Sequence, residues 1–535
     1  MTFTPTAQQQ AIIDAYLRGS NLVIEAYAGT GKTTTLLQLA QARRARVLYV
    51  AYNASAKRQA MAKFPQHATC TTSHGLAFRP MGELARRAVA RTPRKTSLQN
   101  ARILGITGPT RISRDLVLAP GQVASLVMQT IKRFCYSADP VITGRHVPGD
   151  TRGMDPETIT VLRGIIPPIA RRAWDGDLNR SDGELPFTHD VYLKKFALTR
   201  PKLHADVILL DEAQDTNPCV EGMILNQASY GTQLVLVGDQ YQELYGWRGA
   251  TNSMRKFAGQ PGVTVLSLTQ SFRFGPAIAA AGNEWLTLLN AREKLSGWDQ
   301  LQSTVGEFSV QVRGSRAILC RTNAEALKQA LAELGAGRKV GLAGGVTELK
   351  ALTLAAADLK NGKPVEHPEL IGFRTWGALQ DYVEHDPAGE DLKRFVDLVD
   401  EHGPDGLLQI LIKIVKEDEA DVVVSTVHKA KGLEWDLVRI APDFRKPKQD
   451  PSLPEGRLPA IPRDLAMVAY VAVTRAQKQL DPAGLAWVAD YLGCEPEAVE
   501  ETEVIVEEAA VTVGDPFDVN SPVQVAFMAD LIGAC

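Results

Sequence analysis

The stretch Asn21-Leu22-Val23-Ile24-Glu25-Ala26-Tyr27-Ala28-Gly29-Thr30-Gly31-Lys32-Thr33-Thr34 decides how this chain is read. Asn21 to Glu25 reads as a buried strand and Thr34-Thr35-Leu36-Leu37-Gln38-Leu39-Ala40 as a helix. Between them lies the glycine-containing turn that such a strand and helix need to hold a phosphate. Gly29 and Gly31 let backbone N–H groups converge on phosphate oxygens at a helix N-terminus, where the peptide dipoles favour an anion. Ala28, Gly29, Thr30, Gly31, Lys32, Thr33 and Thr34 are the candidate cradle, with Lys32 on the β- and γ-phosphates and the Thr33 hydroxyl on Mg²⁺. Ala26 stands where such loops usually begin with glycine.

Working outward, Asp206 to Leu210 reads as an apolar strand ending in Asp211-Glu212-Ala213-Gln214-Asp215. A carboxylate there emerges at the C-terminal edge of a parallel sheet, where open α/β folds bind ligands. Asp211 is the candidate metal ligand, and Glu212 the residue that orients or deprotonates an attacking water. Loop and acidic motif together predict ATP binding and hydrolysis with ATP and Mg²⁺ as cofactors.

Further apolar runs at Val47–Val50, Leu234–Val237, Val263–Leu266, Ala317–Cys320 and Val422–Ser425 alternate with helical stretches, so the class is α/β with parallel sheets. At 535 residues the chain is too long for one core and implies three or four domains. No run approaches the ~18 apolar residues of a membrane span, and Met1 to Gln10 has no basic-then-apolar leader pattern, so a cytoplasmic location without membrane contact is expected. Six scattered cysteines imply neither a disulfide framework nor a zinc or iron–sulfur site.

The net charge of −2 conceals an uneven distribution. Gln41 to Arg114 carries fifteen Lys and Arg against the single acid Glu83, while the stretch after Leu480 has no Lys or Arg and twelve Asp and Glu. The first 480 residues therefore carry +10, compatible with a nucleic-acid partner.

The loops that follow the strands carry the sharper signal. In order they read Gly238-Asp239-Gln240-Tyr241-Gln242-Glu243-Leu244-Tyr245-Gly246-Trp247-Arg248-Gly249-Ala250, Gln270-Ser271-Phe272-Arg273-Phe274, Ser425-Thr426-Val427-His428-Lys429-Ala430-Lys431-Gly432-Leu433-Glu434-Trp435-Asp436 and Ala469-Tyr470-Val471-Ala472-Val473-Thr474-Arg475-Ala476. This series resembles the motifs of superfamily 1A DNA helicases of the UvrD/Rep type, from Gln8 to Leu480. The segment Phe187 to Phe196 resembles the F-box DNA helicase branch; the first motif begins within ten residues of Met1, so no F-box is expected before it.

The resemblance implies two RecA-like, parallel-sheet P-loop motor domains with two mainly helical insertion subdomains. Their expected bounds are 1–77 with 186–270 for domain 1A, 78–185 for insertion 1B, 271–323 with 422–480 for domain 2A, 324–421 for a reduced 2B containing four prolines, and 481–535 for an acidic tail. It also implies that Gln8, or Gln9 in the alternative register, pairs with adenine, that Phe272 stacks on it, and that Glu434 senses the ribose. Arg273 and Arg475 resemble the arginines that reach the γ-phosphate from the second domain, and Gln240 the γ-phosphate sensor. Tyr245 and Trp247, with Tyr52, would stack on bases, and Asn53, His74, Arg248 and His428 would contact the sugar–phosphate backbone.

The expected partners are single-stranded DNA and single-strand/duplex junctions, with the protein a monomer or weak oligomer. The tail is either a solvated appendage or a dock for a protein partner, and without Lys or Arg it is not expected to be a fused PD-(D/E)xK nuclease. The expected activity is 3′-to-5′ translocation and unwinding. The alternatives are an ATP-gated DNA-binding switch working with a nuclease or repair partner, and an RNA-directed motor of the same superfamily. If Trp247 is a stacking platform, worth ~1–3 kcal/mol per base, Trp247→Ala weakens DNA stimulation of turnover and leaves basal ATP hydrolysis largely intact; full stimulation in the variant, measured with a single-stranded homopolymer, refutes the assignment.

Overall fold

The computed structural model describes residues 4–90, 95–113, 116–149, 156–244, 253–308, 314–367, 369–371, 373–385, 390–448 and 458–493. Two six-stranded parallel sheets organise the chain. In the first, the spatial order is Ala68–Thr72, Val47–Ala51, Val207–Leu210, Gln233–Gly238, Asn21–Ala26 and Val263–Leu268. Val47–Ala51, Val207–Leu210 and Gln233–Gly238 are buried along their whole length, as expected for parallel strands covered on both faces. Leu22 pairs with Val235 and with Thr264, which sets the phosphate loop's strand between two neighbours. Ala68–Thr72, which has no apolar run, is an edge strand held by Val47–Ala51.

Parallel pairing sends every strand's C-terminal end to the same sheet edge. The turn after Ala26, the Tyr52-Asn53 pair, Asp211, the Asp239 loop and the Gln270–Arg273 segment therefore leave from one rim.

The second sheet runs Val340–Leu342, Val422–Thr426, Arg316–Cys320, Trp435–Ile440, Ala476–Asp481 and Thr304–Val305. Ala476–Asp481 reads as polar in sequence; its backbone pairs with Trp435–Ile440, and Arg439 and Asp481 close a 2.7 Å ion pair beside the ladder.

Two expected boundaries move. Val340–Leu342 and helix Asn323–Gly335 lie in the stretch expected as a separate 2B insertion, yet the strand pairs with Val422–Val424 and the helix packs in one apolar cluster with Ile318 and Val424. Helices Thr347–Lys360, Trp376–His385 and Glu390–Leu411 extend that same cluster, the last bending at Gly403 (φ +66°) before Pro404. The start of the expected tail also belongs to this lobe. Trp487 meets Trp285 edge-to-face at 5.7 Å and Tyr491 is buried, because large aromatic rings gain by joining the core while Asp490 beside them stays exposed. Residues 494–535 lie outside the described residues.

A third apolar cluster gathers helices Pro120–Tyr136 and Pro156–Asp175 around Phe134 and Trp174, whose rings meet edge-to-face at 5.0 Å. Cys70, Cys135, Cys219 and Cys320 are free thiols. Among the described residues no helix is long and apolar enough to cross a membrane. Leu209, fully buried in the first sheet, should tolerate truncation poorly: Leu209→Ala is expected to cost about 2–5 kcal/mol, read as a lowered urea midpoint for the first lobe.

Candidate active site

The strand Asn21–Ala26 delivers the turn, and helix Lys32–Ala42 begins beyond it. Gly29 and Gly31 have φ of +74° and +79°, in the left-handed region that glycine tolerates. A Cβ on Gly29 would lie 2.4 Å from Ser271 Oγ and 2.7 Å from Arg273 Cβ, so a side chain there would collide with the segment that carries Phe272 and Arg273. Gly31 caps the helix with no side-chain acceptor, which leaves the first helical N–H groups to bind an anion.

Lys32 Nζ sits 2.9 Å from Glu212 Oε1. Thr33 Oγ1 lies 3.4 Å from Asp211 Oδ2, which also accepts a 2.6 Å hydrogen bond from the Tyr49 hydroxyl. Glu212 takes a left-handed backbone (φ 51°, ψ 46°) uncommon for a non-glycine residue; its N–H donates to Asp211 Oδ1, and its Oε2 accepts from Gln214 at 2.6 Å. The two carboxyls are driven apart. Burial and the neighbouring Glu212 charge push Asp211 up, whereas for Glu212 the cations Lys32 and Lys431 outweigh burial and hold it low. Glu212 is thereby kept ionised and acceptor-ready beside the loop.

Among the described residues no cluster of three or more His, Cys, Asp or Glu could hold a metal by itself. Magnesium bound with a nucleotide takes only one or two protein oxygens and completes its shell with phosphate and water. The oxygen pair Thr33 Oγ1 and Asp211 Oδ2 fits that requirement.

A cavity of about 900 Å³ opens between the two sheets, and Lys32, Asp211, Phe272, Arg273, Glu434 and Arg475 all line it. Arg475 is 2% exposed and held at 3.1 Å by the Val471 carbonyl and at 3.3 Å by Gln242 Oε1. Burial, with Arg273 nearby, pushes its guanidinium down to about 9. Arg273 donates from Nε to Glu434 at 2.6 Å and from a terminal nitrogen to the Thr474 carbonyl at 3.0 Å, while Gln477 donates to the other Glu434 oxygen at 2.8 Å. Phe272 packs edge-to-face on Trp298 at 5.8 Å, and its N–H donates to the Gly29 carbonyl at 2.8 Å. Thr30, Thr33 and Thr34 line the same cavity. Ala28 sits behind it, with its N–H donating to the Tyr470 hydroxyl at 3.1 Å.

Other expected residues fall elsewhere. Gln8 donates to the Thr269 hydroxyl and accepts from the Thr269 N–H, both at 3.0 Å; Gln9 closes a capping box with Thr6 and donates to Thr35. Neither lines the cavity. Gln240, expected as the γ-phosphate sensor, turns away and bonds Glu25 and Tyr241, with Arg255 donating to its Oε1. Gln242 lines the cavity instead. The cause is local: Asp239 caps the 3₁₀ turn Gln240–Gln242, accepts from Gln242 Nε2 at 2.8 Å and so aims that side chain at Arg475. An N-cap aspartate followed three residues later by glutamine is a pattern that could have selected Gln242 from sequence.

Lys431, also unanticipated, reaches Asp215 at 2.6 Å and the Gln242 carbonyl, joining the lobes through a buried ion pair. Tyr52 and Asn53 line the mouth of the cavity, where Asn53 caps helix Ala54–Lys63. His74 Nε2 lies 3.0 Å from Asp190 Oδ1, beside the His189 and Tyr192 rings. His428 is half-buried, and burial with the Lys431 charge lowers its affinity for a proton. Tyr245, Trp247 and Arg248 lie outside the described residues.

A cleft with a phosphate loop on one parallel sheet, Arg475 beside the other and Arg273 on the segment that leaves the first sheet and bonds the second lobe defines a two-lobed P-loop motor, and comparison with known proteins agrees. An AAA domain model matches residues 8–248 and a UvrD-like helicase C-terminal domain model matches residues 389–481. The chain belongs to the UvrD-like helicases. It is 31% identical over 510 residues to F-box DNA helicase protein 1 of Schizosaccharomyces pombe, covering 89% of this chain and 57% of that protein. To F-box DNA helicase 1 of Gallus gallus it is 30% identical over 517 residues, covering 89% and 48%. DNA helicase II of Escherichia coli is 33% identical over 107 residues, 19% of this chain and 15% of that protein. The chain thus spans about half the length of the F-box helicases it matches.

The placement of the two glutamines predicts unequal effects: Gln242→Ala should lower the ATP turnover number about tenfold, equivalent to ~1.4 kcal/mol of barrier, with Gln240→Ala closer to wild type in a steady-state phosphate-release assay.

Proposed function

We propose that this protein is a Mg²⁺- and ATP-dependent DNA helicase that tracks 3′ to 5′ on single-stranded DNA and separates duplex ahead of it. The observation that carries the reading is the convergence on one cleft of Lys32, Thr33, Asp211 and Glu212 from the first lobe with Glu434 and Arg475 from the second, and with Arg273 from the segment that joins them. In this reading the two sheets are the cores of motor domains 1A and 2A, and the helical segments are insertions on them.

The residues divide the chemistry as follows. Backbone N–H groups of the loop and Lys32 bind the β- and γ-phosphates, and Phe272 offers a ring face to the base. Bound magnesium, held through Thr33 and Asp211, would neutralise charge on the phosphate oxygens. Glu212 orients water and takes its proton as the water oxygen bonds the γ-phosphorus and the bond to the leaving β-phosphate oxygen breaks. Arg273 and Arg475 place fixed positive charge on the equatorial oxygens, where guanidinium groups contributed in trans are worth ~10³-fold or more in rate. Gln242, in contact with Arg475, takes the sensing role first expected of Gln240.

Opening and closing the cleft shifts the second lobe's DNA contacts against those of the first and advances the strand. Tyr52, Asn53, His74, Tyr245, Trp247, Arg248 and His428 are proposed as the strand's contacts, with single-strand/duplex junctions as the preferred substrate. Polarity follows from the family resemblance.

Strand displacement on 3′-tailed and 5′-tailed duplexes tests activity and direction together. The expected result is ATP-dependent displacement of the 3′-tailed substrate only, abolished by Lys32→Ala. DNA-stimulated hydrolysis with no displacement of either substrate would replace the helicase reading with the switch, and stronger stimulation by ribo- than by deoxy-homopolymer would point to RNA.

A further inference from the structure

Tyr470 lies on helix Arg463–Val473 of the second lobe, five residues before Arg475, and is 0% exposed. Its hydroxyl is the meeting point of three segments. It accepts a hydrogen bond from the Ala28 N–H of the phosphate loop at 3.1 Å and donates one to Asp239 Oδ2 at 3.3 Å. Burial raises the phenol well above its ordinary range, so it stays protonated and able to donate.

Asp239 is itself 2% exposed and fully engaged. Its Oδ1 accepts from the Tyr241 N–H at 3.0 Å, and its Oδ2 accepts from Gln242 Nε2 at 2.8 Å as well as from Tyr470. Gln242 Oε1 then receives the Arg475 guanidinium at 3.3 Å, and Arg475 Nε returns to the Val471 carbonyl at 3.1 Å, one residue beyond Tyr470. Tyr470, Asp239, Gln242 and Arg475 are thus joined in a circuit of hydrogen bonds that crosses the seam twice and is completed by the main chain between Val471 and Tyr470. A branch leaves it through the backbone: the Asp239 N–H donates to Gln214 Oε1 at 3.1 Å, and Gln214 Nε2 donates to Glu212 at 2.6 Å.

We propose that Tyr470 is a positioning residue for ATP hydrolysis, its hydroxyl fixing the Asp239 carboxylate so that Gln242 and, through it, Arg475 are aimed into the cleft in register with the phosphate loop. The inference rests on the reading that this cleft hydrolyses ATP. Its physical basis is that a buried carboxylate with two oxygens and three donors has one orientation that satisfies all of them. Removing the Tyr470 donor frees the carboxylate to rotate toward the remaining two, and the Gln242 carboxamide follows it. The ring itself fills space between the lobes, so phenylalanine preserves the packing and isolates the hydroxyl.

The test uses steady-state ATP hydrolysis with saturating single-stranded DNA on wild type, Tyr470→Phe, Gln242→Ala and the double variant, with a thermal unfolding curve for each. The expected result is that Tyr470→Phe lowers kcat about tenfold with KM for ATP within about twofold of wild type, and that the double variant is no slower than Gln242→Ala alone. A wild-type kcat in Tyr470→Phe, a loss expressed in KM instead of kcat, or losses that multiply in the double variant would each overturn the inference. If Tyr470→Phe unfolds at a lower temperature, the double-variant comparison still decides, because a purely structural loss multiplies with that of Gln242→Ala. A wild-type protein with no ATP turnover would overturn the reading of the cleft and this inference with it.

Discussion

The structure depends on how charge is balanced in the seam between two parallel sheets. Lys32, Lys431, Arg273 and Arg475 meet Asp211, Glu212, Asp215 and Glu434 in one partly dehydrated cleft. Isolated ions would not survive there; each cation needs a carboxylate or carbonyl within hydrogen-bond reach, and each has one. These partners come from both lobes, so the electrostatic balance of the cleft and the relative position of the lobes are one property. A ligand carrying several negative charges would compete for the same cations, which is the physical route from nucleotide binding to lobe movement.

The sheets make this possible because every strand in them runs the same way. Loops that are far apart in sequence, such as the turn at Gly29 and the acidic run at Asp211, leave the same rim, their strands separated only by Gln233–Gly238. Small backbone features then set the aim of individual side chains. Gly29 permits the close approach of Ser271 and Arg273, left-handed Glu212 turns its carboxylate back toward Lys32, and the Asp239 cap separates Gln240 from Gln242. The cost of such strained or constrained positions is modest singly, and the surrounding hydrogen bonds hold them.

Much of the fold was legible in the chain because apolar runs buried on both faces leave an unambiguous trace. Val47–Ala51, Val207–Leu210 and Gln233–Gly238 are such runs. The strands that escaped notice are edge or polar ones, with the exception of the interior strand Trp435–Ile440, whose apolar residues are interrupted by Asp436 and Arg439. Ala68–Thr72 and Thr304–Val305 sit at sheet margins, and Ala476–Asp481 is held by ladder bonds and the Arg439–Asp481 pair more than by its own hydrophobicity. The second insertion and the tail were drawn too generously for a related reason: composition marks prolines and acids, but not that Ile318 shares a core with helix Asn323–Gly335 or that Trp487 reaches Trp285.

The residues alone determined the chemical class of the protein. A phosphate turn between strand and helix, a strand ending in paired acids and the ordered arginine-bearing motifs each have a local cause that needs no partner elsewhere in the chain. Only the tertiary structure decided that Gln242 meets Arg475, that Lys431 pairs with Asp215, and that Tyr470 ties the second lobe to both Ala28 and Asp239. Those contacts join residues separated by hundreds of positions, and their geometry is set by how two sheets pack, a long-range outcome on which local spacing carries no information.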